Sequence, residues 1–170
     1  MAAKRPSTIQ PISPCLWFDG NAEEAARFYV SVFPHGKIHE VTHFPAVGQD
    51  VHGRPAGSVM TVDFEIGGLR FTGLNGGPLF KFSEAVSMQV MCPSQAEIDY
   101  YWEKLGEGGD PAARQCGWLK DRFGLSWQIV PENMMELMGN MKTKAGERAF
   151  AAMMDMKKID IAKLEAAAKG

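Results

Sequence analysis

The chain has 170 residues, 45% of them hydrophobic and 22% charged, with a formal net charge of -2. That balance fits one globular domain with a real core and excludes a disordered or fibrous chain. It shows no basic excess of the kind that nucleic acid or an anionic membrane surface attracts.

At the N-terminus, MAAKRPSTIQPIS carries two basic residues with no apolar run behind them, so no signal peptide is expected. No stretch reaches bilayer-spanning length. The three cysteines, Cys15, Cys92 and Cys116, form no CxxC pair and fit free thiols in a reducing compartment. A cytoplasmic protein is the expectation.

The first strong pattern is PCLWFDGNAEEAARFYVSVFPHG, from Pro14 to Gly36. It returns as SMQVMCPSQAEIDYYWEKLGEGG, from Ser87 to Gly109, at one offset (87 − 14 and 109 − 36 both give 73). Each copy opens with an apolar run of strand length. A capping box follows, Asn21-Ala22-Glu23-Glu24 in one and Ser94-Gln95-Ala96-Glu97 in the other. The helix stripes then fall in register: Ala25, Phe28, Tyr29 and Val32, against Ile98, Tyr101, Trp102 and Leu105. Both helices run into glycine.

Strands are expected after the first helix at Lys37–Phe44, Ser58–Ile66 and, past the Gly67-Gly68 turn, Leu69–Leu74. Met60, Val62, Phe64 and Ile66 alternate with Thr61, Asp63 and Glu65, the period of a half-buried strand. After the second helix come a weakly marked piece around Ala112–Cys116, then Gly117–Asp121, a Phe123-Gly124 turn, and Leu125–Val130. The loop Pro45–Gly57 has no counterpart in the second copy, and loops of that length are often functional. From Pro131 the chain reads as Met-rich helices ending in KKIDIAKLEAAAKG.

The expected fold is therefore α+β: two tandem βαβββ units forming a curved mixed sheet with helices outside. Unit one spans 8–76, unit two 84–131, and a C-terminal helical tail 132–170, all within a single domain that holds a small molecule between its two units.

PCLWFDGNAEEAARFYVSVFP, FTGLNGGPLFKFSEAVSMQV, CGWLKDRFGLSWQIVP and MKKIDIAKLEAA together resemble the vicinal oxygen chelate superfamily of glyoxalase I, extradiol dioxygenases and bleomycin-resistance proteins. Within it the chain is similar to the PhnB-like branch, whose members often carry the label 3-demethylubiquinone-9 3-methyltransferase. In metal-using relatives, the first and last strands of each unit supply the ligands. Matched through the helix register, those positions fall on Pro14, Ser87 and Gln128, with the fourth near Phe71 to Gly73. Proline cannot coordinate, and Ser and Gln are poor ligands for a divalent transition metal. No metal and no cofactor are expected.

His39-Glu40-Val41-Thr42-His43 matches the H-E-x-x-H zinc signature, which works only on a helix. Here it lies on an expected strand, where four residues separate the two rings by roughly 13 Å. A methyltransferase of the common doubly wound type would place a glycine-rich turn between first strand and helix. Only Gly20 stands there, and Asn75-Gly76-Gly77-Pro78 follows the fourth strand into a proline.

The face opposite Met60, Val62 and Phe64 offers Thr61, Asp63 and Glu65, with Ser87, Gln89, Ser126 and Gln128 on the same side in unit two. Polar groups converging on an apolar concavity are the usual form of a small-molecule site. Asp63 and Glu65 are the candidates for a general base, and facing solvent is the competing reading for both. Thr61, Asn75, Phe82, Ser87, Gln89, Trp118, Asp121 and Gln128 are the candidate ligand-binding residues. Trp118 and Asp121 of GWLKDRFG are expected to cap the pocket. Trp17 and Trp127 are expected to face the helices, and Cys116 to be a structural thiol.

The eleven methionines suit adaptable packing or a dimer interface, and the resemblance implies a homodimer. Three functions compete. One is a metal-independent small-molecule-binding protein, either a plain binder or an enzyme with a pocket carboxylate. Another is a sequestration protein that binds a drug or metabolite without turnover. The third is a metal-dependent lyase or dioxygenase, with methyl transfer as the branch's label.

Overall fold

The computed structural model describes residues 12–170; the start of unit one at residue 8 and most of the N-terminal segment read above lie outside the described residues. The chain divides into two compact units, one ending at Lys81 and the other running from Phe82 to Gly170. The helical tail is part of the second.

In the first unit, β1 (Cys15–Phe18) leads into α1 (Ala22–Val32), then β2 (Lys37–His43), a one-turn helix α2 (Gln49–His52), β3 (Val59–Ile66) and β4 (Leu69–Asn75). The strands lie in the order β1-β4-β3-β2. β1 runs parallel to β4, and the other pairs are antiparallel. Gly67 and Gly68 both take positive φ, as the tight β3–β4 hairpin requires. The alternation of β3 holds: Val62, Phe64 and Ile66 are buried against α1, whose Ala22, Ala25, Ala26, Tyr29 and Val32 face them. Phe64 stacks between Tyr29 and Phe71.

The second unit repeats this plan. β5 (Ser87–Cys92) leads into α3 (Gln95–Gly106), then β6 (Trp118–Lys120) and β7 (Ser126–Pro131), in the order β5-β7-β6 with β5 parallel to β7. All four expected stripe residues of α3 are buried. The weakly marked piece is a 3-10 turn at Pro111–Ala113 and a single bridge from Gln115 to Trp118. The repeat has thus lost its second strand in this copy.

Two local expectations are corrected. Ser94 caps α3 by accepting from the Glu97 amide at 3.3 Å, but Asn21 makes no side-chain cap on α1. The buried Asn75 at the end of β4 does that work, its Oδ1 accepting from the Ala22 amide at 2.9 Å while its Nδ2 donates to the Val59 carbonyl at 3.0 Å. Trp127 is core as expected, but Trp17 points away from the helix side that holds Leu16 and Phe18. Its indole donates to the Gly77 carbonyl at 2.8 Å and meets Phe80 edge-on at 4.9 Å.

The tail comprises α4 (Met134–Met138), α5 (Lys144–Met154) and α6 (Ile161–Lys169). The MKKIDI segment fastens it. Amides of Cys116 and Gly117 donate to the Met156 and Lys157 carbonyls, both at 2.8 Å. Gln95 holds the Ile159 carbonyl and the Ile161 amide, and Lys158 pairs with Asp99. Ile159 and Leu164 are fully buried.

Candidate functional site

Each sheet has one face packed on its helix and one face turned away, and alternation decides which side chains reach the latter. On the second sheet that face carries Ser87, Gln89, Trp118, Lys120, Ser126 and Gln128, since Ser87 pairs with Ser126, Gln89 with Gln128, and Trp118 with Gln128. Gln128 sits at the centre. Its Nε2 donates to the Ser87 hydroxyl at 2.8 Å, and its Oε1 accepts from Gln89 Nε2 at 3.2 Å. Lys120 pairs with Glu84. Ser126 is 1% exposed, and among the described residues its hydroxyl has no hydrogen-bond partner. Buried hydroxyls are nearly always bonded, so an orphan marks a place where a partner group belongs.

On the first sheet the corresponding face is more highly charged, and both of the carboxylates singled out from the sequence are already engaged. Asp63 takes the Arg70 guanidinium through both oxygens. Thr61 and Thr42 join hydroxyl to hydroxyl. Glu65 meets His39 Nε2 at 3.0 Å. This last contact depends on a β-bulge: the register of β2 shifts between Ile38 and Glu40, leaving His39 as the extra residue aimed at Glu65. A His–carboxylate pair can accept and pass a proton, whereas Asp63, clamped by arginine, is held as an ion-pair partner.

The sequence-derived site residues therefore separate into groups. Ser87, Gln89, Trp118 and Gln128 come together on the second sheet. Thr61, Asp63 and Glu65 share the first. Asp121 joins neither face; it is 2% exposed and its carboxylate accepts from the Phe123 and Leu125 amides and the Trp127 indole, all within 3.0 Å. It shapes the β6–β7 turn rather than capping a pocket. Asn75 lies on the helix side, as described above. Phe82 is half-buried in the segment before β5. His39 entered the sequence reading only as half of a false zinc motif, because a bulge leaves no mark in hydropathy.

The metal positions need correction too. The strand-to-helix turn is one residue longer in unit one (Asp19-Gly20-Asn21) than in unit two (Pro93-Ser94). Counting back from the helix therefore slips β1 by one residue, which turns every side chain over. The counterpart of Ser87 is then Ser13 and not Pro14, and Cys15, paired with Thr72, answers to Gln89, paired with Gln128. One thiol beside a hydroxyl, with two carboxamides in the other unit, falls short of the three or four good donors that a divalent metal takes. Among the described residues no three His, Cys, Asp or Glu side chains gather into a group that could hold one. The residues present do not fit the superfamily's metal.

A small cavity of about 220 Å³ opens elsewhere in the first unit, lined by Gly20, Glu23, Phe44, Arg54, Pro55, Ser58, Val59 and Asn75. Among the described residues no helix is long and apolar enough to cross a membrane.

Comparison with known proteins agrees with this architecture. Residues 10–130 match the family model described as 3-demethylubiquinone-9 3-methyltransferase. A Bacillus cereus structure described as a putative 3-demethylubiquinone-9 3-methyltransferase, PhnB protein, is 31% identical with a TM-score of 0.60, covering 71% of this chain and 99% of that one. Protein PA1353 from Pseudomonas aeruginosa shares the fold at 22% identity and a TM-score of 0.55, covering 72% of this chain and 98% of that one. No curated protein matches the chain. With a repeated strand–helix–strand plan, first and last strands parallel in each unit, and a family match over most of its length, the chain belongs to the 3-demethylubiquinone-9 3-methyltransferase family, the PhnB-like branch of the vicinal oxygen chelate superfamily.

Proposed function

We propose that the chain binds a small polar organic molecule on the helix-free face of its second sheet, without a metal. The observation that carries this reading is the Ser126 hydroxyl, buried and, among the described residues, unpartnered beside the Ser87–Gln128–Gln89 chain. A ligand hydroxyl or carbonyl that bonds Ser126 after a side-chain shift uncovers it would remove the cost of a buried unsatisfied group, about 1–3 kcal/mol. The half-buried Trp118, across from Gln128, supplies an apolar surface next to these donors and acceptors. Carboxamides and hydroxyls without a free charge favour an uncharged polar ligand.

Methyl transfer has weaker support. The Gly76-Gly77 pair is explained by packing: a Cβ at Gly76 would lie 2.2 Å from the Trp17 ring, and one at Gly77 would lie 1.8 Å from Arg54 Nη2. The first α1 amide is already bonded to Asn75. These residues do not fit an adenosylmethionine cradle, and no step is routed through that group.

The exposed Met135, Met141, Phe150 and Met154 of the tail support a homodimer as part of the same reading. Native mass spectrometry of the chain, incubated with a small-molecule extract after chelator treatment, tests the binding. The expected result is a stoichiometric adduct of a few hundred daltons that Gln128→Leu abolishes. No adduct, or one that appears only with added metal, contradicts the proposal. Recovery of the ligand unchanged indicates sequestration, and a changed mass indicates turnover.

A further inference from the structure

We propose that the cavity under the 44–58 loop of the first unit is a separate binding site for a zwitterionic small molecule of the α-amino acid class. The loop is closed at its base by backbone bonds, Phe44 amide to Ser58 carbonyl at 2.9 Å and Gly57 amide to Phe44 carbonyl at 2.8 Å. It is braced within by the His52 ring stacked on Phe44 at 4.8 Å, with His52 Nδ1 accepting from the Arg54 amide at 3.1 Å. This scaffold directs the Arg54 side chain across the α-carbon of Gly77, where any Cβ would collide with it.

The Arg54 side chain is only 25% exposed, yet among the described residues its guanidinium makes one hydrogen bond, a long one, 3.4 Å from Nη2 to Asp19 Oδ1. A guanidinium has five N–H donors in a planar fork that matches a carboxylate with two parallel bonds. Most of that capacity is unused here, in the wall of a cavity of about 220 Å³.

The rest of the wall narrows the class of ligand. Glu23 lines the same cavity, and Asp19 stands next to Arg54. Two carboxylates beside one guanidinium repel phosphate or any multiply charged anion, but they suit an ammonium group held a few ångströms from a carboxylate. Phe44, Pro55 and Val59 give an apolar wall for a short side chain. The volume is below that of drug-sized pockets, which start at roughly 300 Å³. Ser58 and Asn75 are turned to neighbours already, Ser58 to the Pro55 carbonyl and Asn75 to Ala22 and Val59. Glu23 Oε1 accepts from Arg27 at 2.6 Å, so recognition falls to Arg54 and the other oxygen of Glu23. This site shares no residue with the face of the second sheet and stands whether or not that reading holds.

Saturation-transfer NMR and calorimetry on the full chain test it, with the common α-amino acids as ligands and acetate, methylamine and inorganic phosphate as controls. The expected result is saturable binding of one or a few amino acids, with none of the controls reaching comparable affinity. Arg54→Gln should weaken that binding roughly 10- to 100-fold, the loss of a charge-assisted pair. Glu23→Gln, at a half-buried position on α1 outside the loop, should weaken it in the same direction. Circular dichroism confirms that both variants fold. Absence of saturable amino acid binding at millimolar concentration overturns the proposal. So does equal binding of acetate or phosphate, or binding that survives Arg54→Gln unchanged.

Discussion

At the scale of single residues, the clearest lesson is that a sequence motif names a job without naming who does it. Asn21 looks like the cap of α1 and makes no cap bond, while Asn75, 54 positions later, is buried with both ends of its amide in use. Asn75→Ala should therefore cost about 2 kcal/mol, and Asn21→Ala under about 0.5 kcal/mol, in urea unfolding. Equal effects would contradict this assignment. The thiols divide in the same manner. Cys92 is 1% exposed, and burial, with Glu97 nearby, pushes its pKa from its usual 9.0 up to about 11. Alkylation at pH 8.5 should label Cys15 and Cys116 and spare Cys92 until the chain unfolds. Because the folded state holds that proton more tightly than the unfolded one, the associated stability is whole below pH 9 and is lost as pH rises through 11.

Elements show which features a linear pattern carries. Strand and helix spans were legible because alternation and the i, i+3, i+4, i+7 stripe reflect burial on one side. The two α-helices of the repeat begin and end within two residues of the pattern read from hydropathy. What was not legible were events of one residue: the bulge that aims His39 at Glu65, and the extra residue before α1 that turns β1 over. Neither changes composition or period over a window long enough to notice. The fastening of MKKIDI was also hidden, because backbone bonds from Cys116 and Gly117 to Met156 and Lys157 leave no side-chain signature. Gly117 makes that contact possible. Its φ is +83°, and a Cβ would meet the Ile129 carbonyl at 2.9 Å and Ile159 at 3.1 Å. Gly117→Ala should cost about 2 kcal/mol, or roughly 4–8 °C in Tm. Ile159→Ala, which empties a fully buried position of the same segment, should cost about 2–5 kcal/mol.

For the whole molecule, the duplicated plan and the family could be read from the sequence, and the division of labour between the two sheets could not. One sheet presents Asp63 and Glu65 paired with Arg70 and His39; the other presents, beside the Lys120–Glu84 pair, amides and hydroxyls of which Ser126 is buried and unbonded among the described residues. That contrast depends on which residues meet across strands, and single-strand alternation is blind to it. If the tail helices form a subunit interface, light scattering should return twice the 18.7 kDa chain mass. Met135→Glu with Met154→Glu should return the single mass, since a charge in an apolar interface is costly.

The account turns on Ser126, and its two possible roles move stability in opposite directions. If the hydroxyl awaits a ligand, removing it relieves the free chain of an unsatisfied buried group. The decisive measurement is Tm and ligand affinity of Ser126→Ala, side by side with the wild type, using the small molecule captured by native mass spectrometry. The account predicts a Tm unchanged or raised by a few degrees together with an affinity weakened about tenfold. A lowered Tm with undiminished affinity would contradict it, making Ser126 a structural residue and moving the binding site off the second sheet.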